Sequence, residues 1–157
     1  MVVGGSGLGE LLLRLLVAAF SGFVLGLPYR RRPGGVRTHY MVTLGAALFC
    51  TTAANVAGRE DEVLRIIQGI ASGIGFVGAA SVLKKGTYIL GITTAASIWI
   101  AAAVGCEAAL GSPVLAAVVA PVIALTNWLV GLLERKVFHR RRRLRSPREF
   151  RDGAGRK

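Results

Sequence analysis

Two histidines, His39 and His139, and eight carboxylates are the first residues to weigh for acid–base or metal chemistry in this 157-residue chain. No Ser/His/Asp order, ligand spacing or phosphate-cradling loop accompanies them, so neither enzymatic catalysis nor a cofactor is expected, and a metal ligand set stays undefined. One motif has a cofactor-binding form: Gly73-Ile-Gly75-Phe-Val-Gly78 matches G-x-G-x-x-G letter for letter. A dinucleotide site needs a strand before the glycines, a helix opening at them and an acid about 20 residues further on. Here the glycines lie inside an apolar run and no acid stands near Ile98. Helix packing accounts for them better. Gly69 and Gly73 form one four-residue row, Ala71, Gly75 and Ala79 form a second, and Gly78 extends the small surface, a pattern that lets helix backbones approach closely in lipid. Gln68 and Ser72 share a face with Gly75, which makes a polar stripe suited to a partner seam or a conduit.

The remaining polar residues of interest sit where apolar runs begin. Arg37, Thr38 and His39 precede one run, Thr93 and Thr94 open another with Ser97 one turn on, and Glu62 and Arg65 flank the start of the glycine segment. Hydroxyls in apolar helices bond either their own backbone or a neighbouring helix. An inner polar site formed by Arg37, Thr38, His39, Thr93 and Thr94 is the sharper expectation, with Glu62, Arg65 and Gln68 as the functional polar residues of the glycine helix.

The elements that must hold these residues follow from charge distribution. The chain is 53% hydrophobic, and its charges are segregated into short blocks. Charge-free runs cover Tyr40–Gly58, Ile66–Leu83, Gly86–Cys106 and Ala108–Leu133, each near the roughly 20 residues that cross about 30 Å of hydrocarbon. Leu8–Leu27 is a fifth, with Glu10 and Arg14 placed four apart to pair. The expectation is an all-α polytopic membrane protein of five transmembrane helices, with a domain over 1–133 and a basic tail over 134–157. Lys84-Lys85-Gly86 is expected to end the third span, and Pro121 to kink the fifth. Cys50 and Cys106 are expected as free thiols inside spans.

A formal net charge of +12 invites a nucleic-acid reading, but location argues for topology instead. With the N-terminus outside, 17 of the 20 Lys and Arg fall in Tyr29–His39, at Lys84 and Lys85, and in the tail, all on the inner side. That is the positive-inside asymmetry, so an outside N-terminus and an inside C-terminus follow and no nucleic acid is expected. The lipid bilayer is the first partner, with the tail against anionic headgroups. Glycine faces left without an intramolecular partner imply a homo-oligomer.

Three segments resemble the MgtC/SapB family of bacterial inner-membrane proteins, in that family's order and spacing: Gly35-Val-Arg-Thr-His39, Arg65-Ile-Ile-Gln-Gly-Ile-Ala-Ser-Gly-Ile-Gly-Phe-Val-Gly-Ala79 and Gly91-Ile-Thr-Thr-Ala-Ala-Ser-Ile-Trp99. The resemblance implies a small multi-helix domain in the bacterial inner membrane and a role linked to magnesium limitation or stress adaptation. It also implies regulation of another membrane protein such as ATP synthase. Transport of an ion or small solute is the alternative. Against the family pattern, Gly26-Leu-Pro-Tyr-Arg30 lacks an acid, Glu62 stands for an Asp, and the glycine motif ends Gly78-Ala79-Ala80. A reporter active only in the cytoplasm, fused at the C-terminus, is expected to be active; an intact but silent fusion would overturn the topology.

Overall fold

Small residues recur every fourth position along the first helix, Ala18, Gly22 and Gly26, and Phe20 and Phe23 between them point the other way. That helix, α1 (Leu8–Gly26), is followed by a 3-10 turn (Leu27–Tyr29), α2 (Val36–Val56), α3 (Glu60–Ala79), the strands β1 (Leu83–Lys85) and β2 (Tyr88–Leu90), α4 (Ile92–Leu110) and α5 (Pro113–Leu144). The computed structural model describes residues 7–32, 34–56, 59–85 and 88–144. Residues 1–6, Pro33, 57–58, Gly86 and the tail past 144, all invoked by the sequence reading, lie outside them.

The unit ending at Ala124 is built on α1, α2 and α4, with α3 laid against α2 and α4. Its core is made of alanines and one thiol: Ala18, Ala47, Cys50, Ala101, Ala108, Ala116 and Ala120 are fully buried. Phe20, Phe23, Phe49, Phe76 and Trp99, by contrast, are each at least half exposed. Small inside and large outside inverts the arrangement of a water-soluble domain and suits lipid, where helices associate by close backbone packing. Among the described residues four helices are long and apolar enough to cross a membrane: Leu8–Tyr29, Asp61–Ala79, Ile92–Leu110 and Pro113–Glu134. The remaining expected span, over the run Tyr40–Gly58, falls on α2, whose 21 residues rise about 31 Å, but His39, Thr43 and Thr51 lie buried on it and dilute its apolar character. The chain is therefore a helical membrane protein with four candidate spans. The second unit starts at Leu125 and its described part continues α5, with Trp128, Leu129 and Leu133 exposed.

Two departures from the sequence expectation lie between α3 and α4. Lys84 and Lys85 do not cap a helix. α3 stops at Ala79, and β1 pairs antiparallel with β2 in a short hairpin, Leu83 opposite Leu90 and Lys85 opposite Tyr88. The fourth helix consequently starts at Ile92 and not at Gly86, entered through Gly91 at φ +92°, a left-handed conformation that only glycine adopts freely. The fifth helix also outruns its expected end at Leu133, reaching Leu144.

At one end of the bundle Arg14 bonds Glu10 Oε1 at 2.9 Å, the expected pair, and its Nη1 also donates to the carbonyls of Ala109 (2.8 Å) and Gly111 (3.1 Å). A guanidinium thus satisfies the open carbonyls that end α4. Beside it, Glu107 Oε1 accepts from the amide of Ser112, and Ser112 Oγ accepts from the amide of Leu115, which caps α5. Cys50 and Cys106 are free thiols, as expected.

The glycines that permit close packing are Gly22, Gly26 and Gly105. A Cβ on Gly22 would lie 2.6 Å from Thr43 Oγ1 and 2.8 Å from His39 O, and one on Gly105 would collide with Thr43 O. At Gly69, Gly73 and Gly75 a Cβ would meet nothing within 4 Å; only Gly78, 3.5 Å from Ala95 Cβ, abuts another helix. Gly22→Ala should therefore destabilise the protein by about 1–3 kcal/mol through overpacking. Gly73→Ala should be neutral or stabilise by up to about 1 kcal/mol through helix propensity. Thermal unfolding of both variants in mild detergent checks the contrast, and equal losses would contradict it.

Candidate functional site

At the opposite end from Arg14, the α1–α2 connection folds over the start of α4. Gly34, at φ +76°, lets the chain turn so closely that a Cβ there would sit 3.1 Å from Thr94 Cγ2 and 3.2 Å from Ile98 Cδ1. Val36 then begins α2 and brings His39 inward, where the ring is fully buried. Tyr29 stacks on it, with ring centroids 5.2 Å apart and planes 15° from parallel.

His39 Nδ1 lies 2.9 Å from Gly35 O and Nε2 lies 2.9 Å from Ser97 Oγ. A carbonyl only accepts, so Nδ1 carries a proton and donates. Ser97 Oγ also lies 2.8 Å from Thr94 O. The hydroxyl therefore has two acceptors in reach. It donates to Nε2 when the ring is neutral, and it donates to Thr94 O when Nε2–H is present and donates to Oγ. One turn on, Thr43 Oγ1 donates to His39 O at 2.8 Å, under Gly22. Nearly the whole constellation is backbone-anchored, which holds the imidazole in one orientation between α2 and α4. Chemically it can relay or hold one proton; it presents no nucleophile to solvent.

The sequence-selected residues divide between two places. His39 and Thr94 meet in this cluster, Thr38 is half-buried beside it, and Arg37 and Thr93 are exposed at the same end. Glu62, Arg65 and Gln68 lie on α3, exposed and toward the other end, so the eight polar positions do not form one site. α3 presents three faces. Arg65, Gly69 and Gly73 line a groove against α2, Ile67 and Ala71 line a second against α4, and Gln68, Ser72, Gly75 and Phe76 face away from both. Sequence reasoning missed Tyr29, Thr43 and the packing glycines Gly22 and Gly105. The four-residue row Ala18, Gly22, Gly26 and the His39/Thr43 spacing on one helix face were the available signals.

The sequence profile of the MgtC family matches residues 15–136, from α1 through the apolar part of α5. The chain belongs to the MgtC family. Among MgtC relatives it is 42% identical over 98 residues to the uncharacterized protein slr0014 of Synechocystis, covering 61% of this chain and 42% of that one. It is 40% identical over 116 residues to the protein MgtC of Brucella abortus, covering 71% and 48%. It is 35% identical over 105 residues to a protein of Escherichia coli K12 described as a putative magnesium transporter, YhiD, covering 61% and 49%. The chain spans about half the length of the curated relatives it matches. No solved structure matches it significantly.

His39→Leu leaves part of this hydrogen-bonding capacity buried and unmet, and should lower stability by about 1–3 kcal/mol. His39→Gln, which keeps a donor and an acceptor, should recover part of the loss, whereas Arg37→Ala, at an exposed site, should stay within about 0.5 kcal/mol. Unfolding in detergent ranks the three; an Arg37 effect equal to that of His39 would contradict the assignment.

Proposed function

We propose that this MgtC-family chain is a non-enzymatic membrane regulator that acts by lateral contact, through the outward face of α3, with a second copy of itself or with another membrane protein. The carrying observation is the uncovered face of that helix: Gln68 and Ser72 are exposed, Gly75 has no atom within 4 Å of a Cβ position, and Phe76 is 83% exposed. Small residues beside hydroxyl and amide groups are the surface on which helices associate in lipid. In this reading all five helices cross the inner membrane, α2 included because its polar side chains turn toward α1 and α4, with the N-terminus outside and the C-terminus inside. The exposed Arg37 at the inner end is a contact for the partner's cytoplasmic edge. Family membership supports a link to magnesium limitation or stress adaptation, and an ATP synthase remains a candidate partner by that resemblance.

A transporter is the second reading, favoured by the description of the Escherichia coli relative as a putative magnesium transporter. Regulation is preferred because the buried polar side chains among the described residues are hydroxyls and one imidazole, Ser21, His39, Thr43, Thr51 and Thr94, with no carboxylate among them to replace the water of a hydrated cation. Crosslinking in native membranes should yield a dimer or a heteromeric adduct, weakened several-fold by Gly75→Leu or Ser72→Leu. Adducts unchanged by both variants, together with magnesium flux in liposomes lost on Gln68→Leu, would replace regulation with transport.

A further inference from the structure

We propose that Cys50 and Cys106 are a redox pair, which a peroxide converts to a reversible disulfide between α2 and α4, with Cys106 attacking the peroxide and Cys50 resolving the product. The chain has two cysteines, and they meet. α2 and α4 run the same way from the His39–Ser97 contact, since Thr43, one turn past His39, lies against Gly105, about two turns past Ser97. In that register Cys50 stands about 17 Å along α2 from His39, and Cys106 about 14 Å along α4 from Ser97, at similar depth in the bundle. The closeness of the two backbones supplies the reach. A Cβ on Gly105, the neighbour of Cys106, would sit 3.0 Å from Ala46 Cβ, and Ala46 is one turn before Cys50. A hydrogen bond joins the two thiols, with Cys50 inside the alanine core and Cys106 packed against it.

Access assigns the order of attack. Cys50 is fully buried, whereas Cys106 is half-buried and lines a cavity of about 370 Å3 between α3 and α4, together with Trp99, Ala102, Glu107 and Gly111. Glu107 and Gly111 form the polar end of that cavity, next to Arg14, so a small neutral oxidant such as hydrogen peroxide enters there and finds one sulfur. The Cys106 sulfur attacks a peroxide oxygen; the O–O bond breaks, the thiol proton leaves with the departing oxygen as water, and Cys106 becomes a sulfenic acid. The Cys50 sulfur then attacks the Cys106 sulfur; the S–O bond breaks, its hydroxyl leaves with the Cys50 proton as a second water, and the S–S bond forms. Two thiols and one peroxide thus give a disulfide and two waters, and a dithiol reductant restores both thiols. A disulfide also suits an apolar interior because it is neutral. A monovalent soft metal held by two thiolates would be an anion there, and a divalent one lacks further ligands, since among the described residues no three His, Cys, Asp or Glu come together. The bond ties α2 to α4 at a second level beyond the His39–Ser97 contact, so oxidation restrains the two helices that hold the buried imidazole.

The test uses full-length protein in phosphatidylcholine vesicles, treated with hydrogen peroxide, quenched with catalase, denatured and labelled with a maleimide, with the products mapped by mass spectrometry. In the unaltered chain both thiols should escape labelling, the α2 and α4 peptides should be joined within one chain, and dithiothreitol should restore labelling at both. Cys50→Ala should leave Cys106 as a sulfenic acid that dimedone traps, whereas Cys106→Ala should leave Cys50 a labelled thiol. Full labelling of both thiols after peroxide overturns the inference. So does a bond that links two copies, or dimedone trapping equal in the two variants. If either variant does not fold, the labelling and peptide map of the unaltered chain decide.

Discussion

The approach of α1 and α4 to α2 at Thr43 is the constraint on which the rest depends. Gly22 lies on one side of that residue and Gly105 on the other, and neither position has room for a methyl group. With the backbones this close, Thr43 bonds His39 O and seals the buried backbone of α2, and His39 is carried into reach of Ser97 on α4. Any side chain at Gly22 or Gly105 would push these helices apart and separate the imidazole from its hydroxyl. In lipid, where apolar side chains gain nothing by leaving the solvent, such contact is the available source of association.

Polar groups close the bundle at each end in different ways. Arg14 gathers the terminal carbonyls of α4 and is balanced by Glu10, which suits a position near an interface where a charge stays partly hydrated. His39, Ser97 and Thr94 form the counterpart at the other end, with Tyr29 stacked on the buried imidazole. Between the two ends the interior is mostly alanine, with Cys50 and Val104 among it. The alanines and glycines leave the bulky residues outward, so the same packing that stabilises the helices produces the lipid-facing surface.

α3 obeys a different rule. It carries the longest of the motif segments and yet is barely buried, with 6% of its span covered against 44% for α4. Gly69 and Gly73 border the open groove against α2, Gly75 lies on the outward face, and Gly78 packs against Ala95 of α4.

Periodicity and charge segregation in the sequence determined the helical class, the candidate spans other than α2 and the Glu10–Arg14 pair, because hydrophobic runs and i,i+4 spacing are local properties. The three motif segments likewise determined the family. Tertiary structure alone decided which glycines pack: the row at Gly69 and Gly73 and the row at Gly22 and Gly26 look alike as strings, and only the position of α2 beside α1 distinguishes a filled contact from an open one. It also decided that His39 joins Ser97 and Thr94 while Arg65 and Gln68 lie elsewhere, and that Lys84 and Lys85 enter a hairpin. Those outcomes depend on which helices become neighbours, a long-range property that no single segment encodes.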